Sequence, residues 1–220
     1  YTARNYVKVS SAEEAWQLNQ KRANAILGGG CWMRLGKRRY DTLIDLCDLG
    51  LDQIEESEGV ISIGAMATLR QLEESPLLQK VYGAYFKDCT RHIVGVQFRN
   101  CATVGGSVRA RFGFSDILTA LLALESSVVL HRGGEISLAN YAAMEYDRDL
   151  LLEIRIHPDQ INRAAYESMR NSATDIPVLT CAASKGAGRY RLAVGARPGR
   201  AVVLEGADPQ ELIAQAAELP

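Results

Sequence analysis

The stretch from Arg99 to Leu124, RNCATVGGSVRARFGFSDILTALLAL, constrains the fold of this chain more than any other. Ala102, Thr103 and Val104 read as a β-type approach to the glycine pair Gly105 and Gly106, with the small hydroxyl of Ser107 behind it. After a polar interval, Ser115 and Asp116 open an apolar helix that runs towards Leu124. Glycine pairs accept unusual φ/ψ values and let backbone N–H groups approach a ligand, while the missing Cβ atoms leave room for a phosphate. Alone, such a pair would read as a tight turn. It is not alone, because Ala25, Ile26 and Leu27 run into Gly28, Gly29 and Gly30, followed by Cys31 and Trp32. Two strand-then-glycine loops suggest two backbone cradles, which suits a diphosphate better than a single turn does. Neither loop reads GxGxxG before a helix, and neither ends in Gly-Lys followed by Ser or Thr, which disfavours the Rossmann and P-loop assignments.

With 220 residues and 47% hydrophobic content, the chain can bury a real core as one large domain or two small ones. The net charge of -1, with no basic cluster interleaved with aromatics, argues against a nucleic-acid partner. The one basic run, Arg34 to Tyr40, reads as a solvated turn, with contact to an anionic ligand or a partner subunit as the alternative. Cys31, Cys47, Cys89, Cys101 and Cys181 are odd in number and lack CxxC spacing, so free thiols in a reducing compartment are expected and a metal site is not. His92, His131 and His157 are scattered and read as ordinary histidines. No stretch has the apolar length of a membrane span or the regions of a signal peptide, and the expectation is a cytoplasmic protein.

In chain order, Asn5–Ser10 alternates as a strand, and Ser10 or Ser11 starts a helix running to about Asn24. Strands follow at Ala25–Leu27 and Thr42–Leu46, then a hairpin of Leu51–Glu56 and Val60–Ile63 around Glu58 and Gly59. Thr68 caps a helix that ends near Ser75, Pro76 restarts a helical turn, and Tyr82–Ile93 has helical spacing. Ser127–Leu130 and Glu135–Ser137 form a second hairpin around Arg132, Gly133 and Gly134, and a strand between Asp147 and Pro158 carries Leu151. From Asn162 a separate αβ module begins: a strand at Ala165–Met169, a helix or extended segment at Ile176–Ser184, strands at Tyr190–Val194 and Ala201–Leu204, and a helix at Pro209–Ala217. The fold class expected is α+β.

The order of these pieces resembles the FAD-binding medium subunit of the molybdenum hydroxylases, the group of xanthine dehydrogenase and carbon monoxide dehydrogenase. The family's first glycine loop falls on Gly28 to Trp32, and its IGA-then-Thr element on Ile63, Gly64, Ala65 and Thr68. Its RN.[AG]T[IV]GGN segment falls on Arg99 to Gly106, and its SPxxD stretch with a leucine-rich helix on Ser115, Asp116 and Leu121 to Leu124. The resemblance implies a vanillyl-alcohol-oxidase-like FAD domain over 1–158, with subdomains of about 1–50 and 51–158, and a short αβ carboxy-terminal domain over 162–220. It implies that Leu27, Gly28, Gly29, Gly30, Cys31 and Trp32 on one side and Ala102, Thr103, Gly105, Gly106 and Ser107 on the other bind the FAD pyrophosphate through backbone N–H groups. Asp116, with Ser115 beside it, would accept from ribityl or ribose hydroxyls, and Leu151 would pack on the flavin ring. Cys31 stands where the family usually has Thr, Trp32 for a small polar residue, Ser107 for Asn, Phe112 or Gly113 for Pro, and Glu167 where some members have Lys.

The function implied by the resemblance is electron transfer, from iron–sulfur clusters through FAD to NAD or another acceptor. Hydroxylation would occur on a partner chain, with an iron–sulfur subunit and a molybdopterin-binding subunit as partners, and no acid/base residue is required here. Two alternatives are a flavin-free scaffold subunit of such a complex and a stand-alone FAD-dependent reductase, similar to UDP-N-acetylenolpyruvoylglucosamine reductase.

Overall fold

Three sheets order the chain in a computed structural model that describes residues 1–158 and 163–219. The first is parallel, in the order β1-β3-β2, and comprises β1 (Thr2–Lys8), β2 (Ala25–Leu27) and β3 (Arg39–Asp45), with α1 (Ala12–Asn19) and α2 (Cys31–Leu35) between them. Ser11 caps α1 by accepting from the Glu14 N–H, and the Glu14 carboxylate accepts from the Ser10 N–H at 2.9 Å. The helix stops at Asn19, short of the expected Asn24, because Arg148 takes the carbonyls of Asn19, Lys21 and Asn24 as the chain turns.

The second sheet is antiparallel, in the order β4-β5-β8-β6-β7. Its first hairpin, β4 (Ile54–Ser57) and β5 (Val60–Gly64), turns at Glu58 (φ 53) and Gly59 (φ 78), the left-handed pair that a type I′ turn demands. A capping box of Thr68 and Gln71 then starts α3 (Leu69–Glu74), and Ser75 with Pro76 starts α4 (Pro76–Tyr82). The helical spacing of Tyr82–Ile93 is used only in part: α4 ends at Gly83 (φ 61), and α5 (Tyr85–Thr90) begins anew. After α6 (Val96–Arg99), α7 (Val104–Arg109) and α8 (Asp116–Leu122) come β6 (Ser126–Leu130), β7 (Gly134–Ser137), α9 (Leu138–Ala143) and β8 (Leu151–Ile156). The third sheet, β12-β11-β10-β9, is antiparallel and contains β9 (Arg163–Met169), β10 (Leu179–Gly186), β11 (Arg189–Gly195) and β12 (Val202–Gly206), followed by α10 (Pro209–Ala217). The open reading at Ile176–Ser184 resolves as strand, beginning at Leu179. The expected start of this unit at Asn162 lies outside the described residues.

Every residue of α8 is buried, as a helix apolar on all sides must be, and it is the centre of the main core. Ile117, Leu118 and Leu121 share one cluster with Ile61, Ile63 and Ile154 of the second sheet and with Tyr166, Ala182 and Ala193 of the third. Each aliphatic side chain removed from water here contributes about 1.5–3 kcal/mol. A smaller cluster of Val9, Ala15, Ile44, Leu46 and Leu150 holds the parallel sheet together.

One buried ion pair sets the path of the chain into the second glycine segment. Arg99, at the end of α6, donates from Nε to Glu73 Oε2 at 2.9 Å and from Nη2 to Oε1 at 3.3 Å, with both side chains 7% exposed. Burial alone would push the Glu73 carboxyl up, but the Arg99 and Arg70 guanidinium groups outweigh it and hold the carboxyl below its usual range. Stabilisation from a depressed carboxyl is present above its unfolded pKa and is lost as pH falls through the lower folded value. Glu73→Gln is therefore expected to cost about 2 kcal/mol at neutral pH. That difference from wild type shrinks below about pH 4, as read by thermal melts across pH.

Candidate functional site

The strand β2 delivers the first glycine segment from the edge of the parallel sheet, with Leu27 in register with Asp45. Gly30, at φ 68, then opens α2 in a conformation that side chains disfavour. The second segment differs from its expected form. Ala102–Val104 is no strand approach: Thr103 makes a single bridge to Thr68 and then caps α7, accepting from the Gly106 N–H at 3.1 Å, so the glycine pair lies in a first helical turn.

The glycines are required mainly because the two segments press on each other. A Cβ on Gly29 would overlap the carbonyl of Cys101, and one on Gly28 would sit 2.8 Å from Thr103 Oγ1. One on Gly106 would lie 2.9 Å from the same oxygen, and one on Gly105 would meet Ala65 O at 2.5 Å. Room for a phosphate is thus not what excludes side chains at these four positions. Of the five glycines expected to matter, Gly30 is the one whose added Cβ finds ordinary contacts, at 3.4 Å or beyond.

The donors are one-sided as well. Among the described residues the N–H groups of Gly28, Gly29 and Gly30 meet no acceptor. Those of Val104, Gly105, Gly106 and Ser107 are taken by Ala67 O, Ala65 O, Thr103 Oγ1 and Thr103 O. The second set of free backbone donors expected from the sequence is therefore consumed inside the protein, and α7 contributes a wall instead. Val104 and Val108 enter the core, whereas Thr103, Gly106, Ser107, Arg109 and Ala110 face a cleft of about 660 Å3.

All the residues singled out in the sequence line this cleft except Leu27, which stays behind Gly30. Cys31 and Trp32 come from α2, Ala102, Thr103, Gly105, Gly106 and Ser107 from the turn into α7, Ser115 and Asp116 from the start of α8, and Leu151 from β8. The Cys31 thiol is pushed up by burial and donates to Gly29 O at 3.6 Å, so it behaves as a small apolar group. Ser115 Oγ caps α8 at the Leu118 N–H and donates to Ser107 O at 3.3 Å, tying the two walls together. Leu151 is 5% exposed and belongs both to the core and to the cleft wall. Glu167 is exposed on β9, where Tyr166 faces the core, and does not reach the cleft.

Asp116 does more than a helix start requires. Its Oδ1 accepts from Tyr166 Oη at 2.5 Å and from Arg170 Nη2, so it joins α8 to the third sheet. Burial pushes its carboxyl up, while the Tyr166 hydroxyl and the Arg170 guanidinium pull it back. Tyr166 is raised well above the ordinary phenol range, by burial first and by the Asp116 charge second. The oxygen expected to be free for a ribose is committed, and Oδ2 alone has no side-chain donor among the described residues.

Several cleft residues were not singled out for a role there. Phe112 and Phe114 stack at 5.0 Å and both meet Trp32 edge-on or tilted, at 5.5 and 5.7 Å, in one aromatic corner. The i, i+2 spacing of the two rings was the available signal. Arg109, Tyr146 and Arg148 form another part of the wall, and Thr174, Asp175, Ile176 and Pro177 bring the third sheet's first loop to it. Among the described residues no cluster of His, Cys, Asp or Glu could hold a metal, and no helix is long and apolar enough to cross a membrane.

A cleft of this size, walled by apolar side chains with few convergent polar groups, is what a small-molecule cofactor site requires. The model of the FAD-binding domain in molybdopterin dehydrogenase matches residues 2–160, and the chain belongs to that family, with FAD as its cofactor. The Escherichia coli K12 protein YgfM is 28% identical over 218 residues, covering 97% of this chain and 82% of its own. The nicotinate dehydrogenase FAD-subunit of Eubacterium barkeri is 32% identical over 91 residues, or 41% of this chain and 30% of that subunit. A carbon monoxide dehydrogenase chain from Hydrogenophaga pseudoflava has the same fold, with a TM-score of 0.79 over 90% of this chain and 76% of that one at 23% identity.

Proposed function

We propose that this chain is the FAD-binding electron-transfer subunit of a xanthine dehydrogenase-like molybdenum hydroxylase. It receives electrons from an iron–sulfur subunit and passes them on to NAD or another acceptor, while hydroxylation takes place on a molybdopterin-binding subunit. The observation that carries this reading is the acceptor-free row of N–H groups at Gly28, Gly29 and Gly30 on the wall of the cleft, in a chain of the FAD-binding family. Residues 1–158 form the FAD-binding domain in this reading, and 162–220 the carboxy-terminal unit.

When bound, FAD supplies redox chemistry that exchanges electrons singly and in pairs. The chain's own residues bind and orient it. The N–H groups of Gly28–Gly30 hold the diphosphate, and Thr103, Gly105, Gly106 and Ser107, with Ala102 behind them, give a close, small-residue wall beside it. Asp116 offers Oδ2 to ribityl or ribose hydroxyls, its Oδ1 being fixed by Tyr166 and Arg170. Leu151 supports the ring, and Cys31, Trp32, Phe112 and Phe114 cover apolar surface and exclude water.

The test is purification of the chain with its native partners, followed by metal analysis and anaerobic addition of NADH. A yellow complex containing iron and molybdenum, whose flavin bands are bleached by NADH or by the hydroxylated substrate, is the expected result. A yellow chain without partner subunits that reduces an acceptor by itself would replace this reading with the lone reductase. A colourless chain inside a metal-containing complex would replace it with the scaffold.

A further inference from the structure

The helix α7 ends at Arg109, one turn beyond Gly106 and so on the same face, where residues three apart are neighbours. Its guanidinium is held from one side only. Nη2 donates to the backbone carbonyl of Asp147 and to Asp147 Oδ1 at 3.3 Å, and the Tyr146 ring lies over the group at 4.1 Å. Nη1 is buried with no acceptor among the described residues, an uncommon state for a charged donor and a costly one.

The surroundings add charge without relieving that nitrogen. Arg111 donates to the carbonyls of Met144 and Glu145 at 2.8 and 2.9 Å and to Asp147 Oδ2 at 3.1 Å, which clamps the loop that carries Tyr146. Two guanidinium groups therefore share the single carboxylate of Asp147, and one positive charge is left uncompensated at that wall of the cleft. Tyr146, whose ring lies over that guanidinium, is 68% exposed, and its hydroxyl has no partner among the described residues. Arg109 and Tyr146 both line the same cleft as Gly28–Gly30.

We propose that Arg109 is the cationic contact through which the cleft holds a negatively charged acceptor of bound FAD. The inference rests on FAD being the occupant. Guanidinium fits an anionic acceptor as a planar, permanently charged donor. FAD presents such an acceptor in its diphosphate and, once reduced, at the N1–C2 carbonyl edge of its ring.

The experiment titrates FAD and riboflavin into the flavin-stripped full chain, as wild type, Arg109→Gln and Arg109→Lys, and measures the midpoint potential of each complex. Loss of FAD affinity by about tenfold or more in Arg109→Gln, with riboflavin affinity and potential unchanged, assigns the contact to the diphosphate. A potential moved to a more negative value in both the FAD and riboflavin complexes assigns it to the reduced ring. In either case Arg109→Lys retains most of the wild-type behaviour. Wild-type FAD affinity and potential in a folded Arg109→Gln chain would overturn the assignment alone. A wild-type chain that takes up no FAD would overturn the functional reading and this inference with it.

Discussion

Gly29→Ala is expected to abolish retention of FAD and to destabilise the chain by about 3 kcal/mol or more. The added Cβ falls on the carbonyl of Cys101, and neither partner is the end of a flexible side chain, so the two glycine segments must separate. Cys101 cannot retreat freely: its N–H and that of Ala102 are held by Phe98 O, and Arg99 is fixed by Glu73. Gly59→Ala is the control for glycine chemistry in general. It carries a positive φ, which Gly29 does not, but its Cβ would meet nothing within 4 Å, so a cost of about 1 kcal/mol with FAD retention intact is expected. Thermal melts and flavin content of the two variants separate disruption of the cradle from loss of a flexible residue. Equal flavin retention by Gly29→Ala and wild type would contradict the contact on which the site is built.

Breaking the Asp116–Arg170 pair is the second large effect. The side chains are 7% and 6% exposed, and removal of one partner leaves the other charged and buried, at a cost of about 3–5 kcal/mol. Asp116→Ala and Arg170→Ala should each lower the melting temperature by roughly 6–20 °C. The double variant Asp116→Ala with Arg170→Ala should fall well short of the sum, because no unpaired charge remains. The pH dependence has a definite sign. Without Arg170 the carboxyl of Asp116, already raised by burial, rises further, and the penalty is felt where it must ionise. Arg170→Ala should therefore be more damaging at neutral pH than near the carboxylate range. Additivity of the two single variants at neutral pH would show that the pair does not couple α8 to the third sheet.

The parts of this fold that could be read in the sequence are those decided within a few residues. Thr68 and Ser115 cap the helices expected to start there, and Ser11 rather than Ser10 caps the first, since a cap needs only a hydroxyl and an N–H three residues on. The hairpins at Glu58–Gly59 and at Arg132, Gly133 and Gly134 follow from local turn chemistry in the same way. Which residues would gather at one cleft was legible too, because five short elements in one order mark them. What the glycines do was not. Gly29 answers to Cys101 and Gly105 to Ala65, contacts that exist only after the segments meet. The N–H groups of Val104 and Gly105 looked free in the sequence, yet they are spent on Ala67 and Ala65. Asp116 looked like a ligand acceptor because Tyr166 and Arg170 lie far along the chain, in a strand whose spacing says nothing about α8. That Trp32 closes the aromatic corner of Phe112 and Phe114 was hidden for the same reason.

The most direct test of the whole account is a visible absorption spectrum of the purified full chain, taken before and after incubation with FAD and gel filtration. Flavin bands that co-elute with the chain in stoichiometric amount, and that are lost in Gly29→Ala but kept in Gly59→Ala, are the predicted result. A folded wild-type chain that stays colourless after reconstitution, both alone and with its partner subunits, would contradict the claim that this cleft holds FAD.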